Sequence, residues 1–243
     1  MAVREIRLFD SLSGELVAVN PGDSIRVEVR TSPVIARGAV DIGSTRPFVL
    51  FSFLERYLQR EGFRAKFLFD SPGGGGTYEL GGYERLPVSR SDVDRWVNVC
   101  FGADREGREW PPAAPEDRVP LNDALRLFGH QAVALYLLGT HYAQPLGDAQ
   151  TGLANGARHA RRIREAIATL VPDRPSPPDM GVHLDEFRCA LADDLDTPNA
   201  FVAMFEWVLE AERRGGGVGD RDLRAMLEMF ELDDLLERTA GRR

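Results

Sequence analysis

The spacing of apolar residues changes near Pro120, and this change constrains the fold more than any other feature of the sequence. After Pro120, apolar residues recur at the period of an amphipathic helix in consecutive segments. Before Pro120, short alternating runs and Gly- and Pro-rich stretches surround one helical segment. We therefore predict an α/β domain at residues 1–120 and an α-helical bundle at residues 121–243, with helices at 121–128, 130–142, 148–170, 184–192, 198–213 and 220–237.

The first domain contains a strand, helix, strand unit. Residues 24–30 alternate in strand fashion, residues 45–59 carry apolar side chains at helical spacing, and residues 65–69 supply a second strand. This order favours a parallel pair of strands in an α/β sheet. Residues 6–8 and 16–19 predict two short strands around a turn.

Three local expectations are less regular. We predict a helix that starts near Ser91 and carries Trp96 and Cys100 on one face. Gly73 to Gly76 are expected to form a loop, because successive glycines lose too much entropy in a helix or strand. Thr197 is predicted to cap the helix that begins at Pro198.

The composition excludes several classes of protein. Hydrophobic residues make up 43% and charged residues 28% of the 243 residues, as in ordinary soluble proteins, and no stretch has the apolar length of a membrane span. The N-terminal residues lack a secretory pattern. Cys100 and Cys189 lie in apolar segments that we interpret as helical, so two buried free thiols and a reducing cytoplasm are expected.

The net charge of −8 argues against a surface that tracks a phosphate backbone, and therefore against tRNA binding. One basic cluster is an exception, and it could meet an anion or form a solvated helix face. We favour the solvated face. The cluster comprises Arg158, His159, Arg161, Arg162 and Arg164.

Four segments resemble, in order, parts of the cysteinyl-tRNA synthetases, which belong to class I. Residues 41–48 (DIGSTRPF) resemble the His-Ile-Gly-His turn and the helix start that follows it, and residues 62–67 (GFRAKF) resemble the second strand. Residues 138–146 (LGTHYAQPL) and 187–198 (FRCALADDLDTP) resemble two helix junctions of the family. The resemblance implies a reduced Rossmann-like parallel sheet followed by stem-contact and bundle-like helices.

The departures from the family pattern concern its chemistry. The two histidines that the family uses in ATP-dependent amino-acid activation correspond to Asp41 and Ser44, and a carboxylate repels a triphosphate. The family's lysine-rich loop would fall near residues 110–114, yet the only lysine of the sequence is Lys66. The first zinc ligand of the family corresponds to Ser32, so we expect no metal and no other cofactor.

Three hypotheses follow for the function. The first is a synthetase-like pseudoenzyme that acts as a binding, regulatory or partner protein, with a protein partner or a second copy on the helical bundle and a small molecule in the residual pocket. The second is a repurposed enzyme of specialised metabolism that transfers or ligates an amino acid, with Asp41 and Asp70 as general bases. The third is a tRNA-binding module. The predicted ligand-binding residues, at the strand ends, are Ser32, Asp41, Gly43, Ser44, Arg46 and Asp70.

Overall fold

The computed structural model describes residues 5–20, 23–29, 40–63, 67–70, 78–79, 96–108, 110 and 118–236. Ser32 and the loop of Gly73 to Gly76 lie outside these residues. Near the N-terminus, β1 (Ile6–Asp10) and β2 (Glu15–Val19) form an antiparallel hairpin. Gly14 closes the turn with a φ of 74°, a conformation that glycine adopts without a steric cost.

A second sheet contains three parallel strands and an antiparallel edge strand. Its members are β3 (Ser24–Val29), β4 (Phe67–Asp70), β5 (Tyr78–Glu79) and β6 (Trp96–Phe101). β3 is parallel to both β4 and β6, and β5 is antiparallel to β4. The parallel pair of β3 and β4, with helix α1 (Ile42–Arg60) between them in the chain, confirms the predicted strand, helix, strand unit and the α/β class.

The predicted helix near Ser91 is wrong in its described part, because residues 96–101 form β6. Val97, Val99 and Phe101 are buried at every second position, which is the period of a strand. The β-branched and aromatic side chains favour a strand as well. Both described cysteines are thiols, as expected, but the expected burial is wrong: Cys100 lies in this strand and not in a helix and is half-buried, while Cys189 is exposed.

The remaining helices confirm the helical character of the chain after Pro120. They are α2 (Leu121–Phe128), α3 (His130–Leu138), α4 (Ala149–Ile167), α5 (Gly181–Ala192), α6 (Thr197–Arg214) and α7 (Arg221–Met229). A 3-10 turn covers Asp233–Leu236, where the sequence predicts a continuous helix. None of the helices in the described part combines the length and the apolarity that a bilayer crossing requires.

Two glycines of α4 set how closely it packs on α3. A Cβ atom at Gly152 would overlap the Tyr136 ring, and one at Gly156 would overlap the backbone of Ala132. The absence of side chains at these positions therefore lets the backbones of the two helices approach each other.

Most of the buried apolar side chains of the α/β portion and of the helices form one cluster, and a smaller cluster surrounds Ile42 and Leu137. Phe53 of α1 stacks on Phe230, which follows α7, with ring centroids 5.2 Å apart. Phe187 of α5 meets the same Phe230 ring edge-on at 5.4 Å. The cluster thus crosses residue 120, and the domain boundary at that position stays a prediction.

Candidate functional site

Asp41 is the N-cap of α1. Its backbone is extended, with φ −92° and ψ 164°, and its Oδ1 accepts a hydrogen bond from the backbone N–H of Ser44 at 2.8 Å. The Ser44 hydroxyl donates back to the carbonyl oxygen of Asp41 at 2.9 Å. Aspartate is among the best N-cap residues, because its charge also complements the helix dipole. The carboxylate therefore occupies the place at which this helix end would meet an anion.

The backbone next to Asp41 is tied to the segment that leads into α2. The N–H of Ile42 donates to the carbonyl oxygen of Val119 at 3.0 Å, and the N–H of Leu121 donates to that of Val40 at 3.0 Å. Gly43 lies beside the cap, where an added Cβ would be 3.4 Å from the Asp41 carboxylate. The start of α1 is thus fixed on both sides.

Arg46, one turn into α1, is fully buried and does not line a crevice. Its guanidinium group donates four hydrogen bonds to backbone carbonyl oxygens at the end of α3 and beyond it. The acceptors, at 2.5 to 3.0 Å, are Leu137, Thr140, His141 and Gln144. Burial lowers the pKa of Arg46 to about 10, so the group remains charged at neutral pH. Its observed role is to bind α1 to the α3–α4 connection.

Trp110 adds a further contact to the same cation. The guanidinium carbon of Arg46 lies 4.6 Å from the centroid of the Trp110 ring, within the range of a cation–π interaction. Trp110 begins the segment in which the resemblance would place a lysine-rich loop. The one residue of residues 110–114 that the structure describes therefore packs on an internal cation.

Of the two other predicted site residues, Ser32 lies outside the described residues. Asp70 ends β4, opposite Glu28 of β3 in the parallel register. This places its backbone at the carboxyl edge of the sheet, where open α/β sheets bind ligands. The structure thus brings Asp41, Gly43 and Ser44 together, and it turns Arg46 into the interior.

A buried carboxylate that the sequence analysis did not select lies at the junction of α5 and α6. The Asp194 side chain is only 3% exposed, and its residue has a φ of 59°. Oδ1 accepts from the Phe9 N–H at 2.7 Å and from the Tyr142 hydroxyl at 2.5 Å, while Oδ2 accepts from Arg105 at 2.6 Å. We name Asp194 and these three partners the Asp194 junction.

The Asp194 junction joins the hairpin, the turn after β6 and the helices. Burial, together with the neighbouring Asp194 carboxylate, raises the pKa of Tyr142 well above its usual value, so the phenol remains a donor. His141 lies beside it: its Nε2 is 3.0 Å from the Asp194 carbonyl oxygen, and its Nδ1 accepts from the Ala143 N–H at 3.2 Å. Since a carbonyl only accepts, the ring carries its proton on Nε2.

A polar cleft of about 770 Å³ opens beside the Asp194 junction. Carboxylates predominate in its lining, with Asp104, Glu106, Asp193, Asp194 and Asp196. Most of these groups already have partners in the chain. Hydrogen bonds from the backbone N–H and the guanidinium group of Arg108 lower the pKa of Asp104, and Arg7 pairs with Asp193 at 2.6 Å. The cleft is therefore polar and preorganised.

Asp196 corrects the predicted cap of α6. Its side chain accepts from the Asn199 N–H at 3.1 Å, so Asp196 and not Thr197 is the N-cap. The Thr197 hydroxyl instead donates to the carbonyl oxygen of Leu138 at 2.5 Å, inside the protein. The sequence held a signal for this whole region, because Tyr142 and Asp194 lie in the two junction motifs.

The basic cluster lies on an exposed face of α4, where Arg158, Arg161, Arg162 and Arg164 reach solvent. Arg162 pairs with Glu212 of α6 at 2.7 Å, and His159 packs on the Phe205 ring with centroids 4.6 Å apart. Part of the positive charge is therefore neutralised within the chain.

Comparisons with known proteins find cysteine–tRNA ligases over part of the chain. The chain is 41% identical over 76 residues to the enzyme of Parvibaculum lavamentivorans. The aligned segment covers 31% of this chain and 16% of the relative. It is 28% identical over 166 residues to the enzyme of Cupriavidus pinatubonensis, covering 65% of this chain and 35% of the relative. The chain thus spans a minor part of the length of these relatives. No protein-family model matches the chain.

Another relative is named for a different activity. It is the L-cysteine:1D-myo-inositol 2-amino-2-deoxy-alpha-D-glucopyranoside ligase of Saccharomonospora viridis, 37% identical over 106 residues, which cover 43% of this chain and 24% of the relative. Among solved structures, the LeuRS of Agrobacterium radiobacter K84 has 15% sequence identity to this chain and a TM-score of 0.41. The alignment covers 60% of this chain and 23% of the LeuRS chain. The partial matches confirm the resemblance seen in the motifs: the chain is similar to cysteine–tRNA ligases.

Proposed function

We propose that this chain is a synthetase-like protein that does not activate an amino acid with ATP and acts instead by binding, as a regulatory or partner protein. The cap that Asp41 forms on α1 carries this proposal. A helix N-terminus attracts phosphate through its free N–H groups and its dipole, and here a carboxylate already accepts from the Ser44 N–H. A triphosphate at this position would have to displace the carboxylate and would be repelled by its charge.

The positive charges near this helix support the same conclusion. Arg46 is the first cation of α1 after the cap, and its hydrogen bonds are all directed to internal carbonyl oxygens. The single lysine of the sequence, Lys66, cannot supply a signature that contains two lysines. Phosphoryl chemistry depends on donors placed where negative charge develops, and this helix end supplies a negative group.

The helical portion offers surfaces on which a partner would bind. Val182 of α5 and Val202 of α6 are about half exposed, and Leu209 lies two turns further along α6. Contiguous exposed apolar surface marks protein interfaces, and these side chains are candidates for such a surface. A protein partner or a second copy of this chain on the helical portion belongs to the proposal.

We expect the protein to show no ATP-dependent pyrophosphate exchange with cysteine or with any other proteinogenic amino acid, and no heat of ATP binding in isothermal titration. The physical reason is the carboxylate at the start of α1. The cysteine–tRNA ligase of Cupriavidus pinatubonensis, assayed in parallel, is the positive control. Exchange above background with any amino acid would contradict the proposal.

A repurposed enzyme is the second candidate, and the ligase of Saccharomonospora viridis favours it, because that relative is named for joining cysteine to an amino sugar. In this case the remodelled pocket would transfer an aminoacyl group from an ester donor made elsewhere to an amine: the amide bond forms, the ester bond breaks, and the hydroxyl group of the donor is released. The Asp41 carboxylate would then accept the proton of the attacking amine.

Variants of Asp41 separate the two candidates. Asparagine caps a helix about as well as aspartate, so Asp41→Asn is expected to change the free energy of unfolding by only a few tenths of a kcal/mol, whereas Asp41→Ala is expected to lower it by about 1 kcal/mol. Urea unfolding measures both.

Under the second candidate, Asp41→Asn would abolish transfer from an aminoacyl donor to an amine while the fold remains intact. Equal unfolding free energies of Asp41→Ala and the parent chain would refute the capping role.

A further inference from the structure

Three potential metal ligands meet between α5 and α6, away from the Asp41 cap. His183 and Glu186 lie one turn apart on α5, and Glu206 comes from the facing turn of α6. Nδ1 of His183 is 3.6 Å from Oε2 of Glu186 and 3.9 Å from Oε2 of Glu206. All three ligand atoms lie within 4.8 Å of one another.

We propose that His183, Glu186 and Glu206 form a binding site for a divalent transition-metal ion, with Zn²⁺ as the ion that the ligands fit best. Imidazole nitrogen and carboxylate oxygen are both zinc ligands, so the three side chains would fill three positions of a tetrahedral shell and water would complete it. Mg²⁺ and Ca²⁺ fit this site less well, because they prefer coordination shells made of oxygen atoms and not imidazole nitrogen.

The His183 ring gives independent support. Its Nδ1 atom is buried and forms no hydrogen bond, although the ring as a whole is partly exposed. A buried nitrogen without a partner is costly, and such atoms usually bind water or an ion. In His183 this nitrogen lies between two carboxylate oxygens, which is the position a shared cation would require.

The geometry requires only small movements. Tetrahedral Zn²⁺ with bonds of about 2.0–2.2 Å needs ligand atoms about 3.3–3.6 Å apart. The separations to Nδ1 are already close to this range, and the Glu186 and Glu206 side chains, each 54% exposed, are free to rotate. All three residues lie in helices, so their backbone positions are fixed while the two glutamate side chains adjust.

The local charge also favours a cation. Arg214, further along α6, forms its ion pairs with Asp179 at 2.5 Å and with Glu210 at 2.9 Å instead of with Glu206. An ion at the proposed site would neutralise two carboxylates and clamp α5 to α6. These ligands were not foreseen from the sequence, because Glu206 lies on a different helix from His183 and Glu186.

Zinc titration of the untagged full chain, against a competing chromophoric chelator, tests the site. We expect one equivalent of Zn²⁺ to bind, and we expect His183→Ala and Glu206→Gln each to weaken the affinity at least about tenfold. Mg²⁺ at millimolar concentration should not compete. Glu206→Gln removes an exposed charge without a change of shape, so it provides a folded variant if His183→Ala is unstable.

Two control variants make the assignment specific. His130→Ala removes an exposed histidine that contacts Asp234 instead, and it should leave the zinc affinity within about twofold of the parent chain. Cys189→Ser removes an exposed thiol of α5 that could itself attract zinc, and it should also retain binding. No stoichiometric binding by the parent chain, or an affinity in His183→Ala or Glu206→Gln equal to that of the parent chain, would overturn the proposal.

Discussion

Replacing Arg46 with methionine is expected to lower the free energy of unfolding by about 3–5 kcal/mol, because four buried carbonyl oxygens lose a charged donor at once. Typical domains are stable by only about 5–15 kcal/mol, so this is a large fraction of the total. Urea unfolding followed by circular dichroism gives the value. Arg46→Lys is expected to recover less than half of the loss, because an ammonium group cannot reproduce the planar array of donors.

Arg126 provides the matched control for Arg46. Its side chain is 72% exposed and pairs with Asp123 at 3.4 Å on the surface of α2. Arg126→Met should change the free energy of unfolding by no more than about 0.5 kcal/mol. If Arg46→Met costs less than about 1 kcal/mol, the guanidinium group does not hold α1 to the α3–α4 connection in the way the hydrogen bonds indicate.

Replacing Asp194 with alanine is expected to cost about 3–5 kcal/mol of unfolding free energy, because the change leaves the buried Tyr142 hydroxyl and the Phe9 N–H without an acceptor and removes the partner of Arg105. Alanine also tolerates the φ of 59° poorly. Asp194→Asn keeps one acceptor oxygen and suits this backbone conformation, so its expected cost is smaller, about 1–2 kcal/mol.

Asp193 is the adjacent control for Asp194. Its side chain is 56% exposed and pairs with Arg7, which is 45% exposed. Asp193→Ala should therefore cost less than about 1 kcal/mol in the same urea titration. If the two alanine variants have equal effects, Asp194 is not the centre of a buried hydrogen-bond network.

The two largest predicted effects concern Arg46 and Asp194, whose roles in the structure differ from those expected from the sequence. It placed Arg46 in a ligand crevice, because the residue follows a motif that binds nucleotide in the resembling family. It treated Asp194 only as a marker of the family. Burial and partners more than fifty positions away determine both roles, and a motif alone does not contain this information.

The spacing of apolar residues predicted most of the helices and strands of the fold. The helices after Pro120 and the parallel pair of β3 and β4 followed from apolar spacing and element order. The error at residues 96–101 has a local cause, because Trp96 and Cys100 fit one face of a helix, while Val97, Val99 and Phe101 fit the alternation of a strand. Pairing with β3 decides between the two, since it supplies ladder hydrogen bonds along the whole of the edge strand β6.

The sequence by itself determined the fold class, the change to helices after Pro120, the resemblance to cysteinyl-tRNA synthetases, and the presence of Asp41 and Ser44 at the two histidine positions. Tertiary structure decided what each polar group does. It made Asp41 a cap, buried Arg46 among carbonyl oxygens, and brought Glu206 to His183 across two helices. Periodicity records which face of an element is buried, whereas the partners of a charge depend on how distant segments meet.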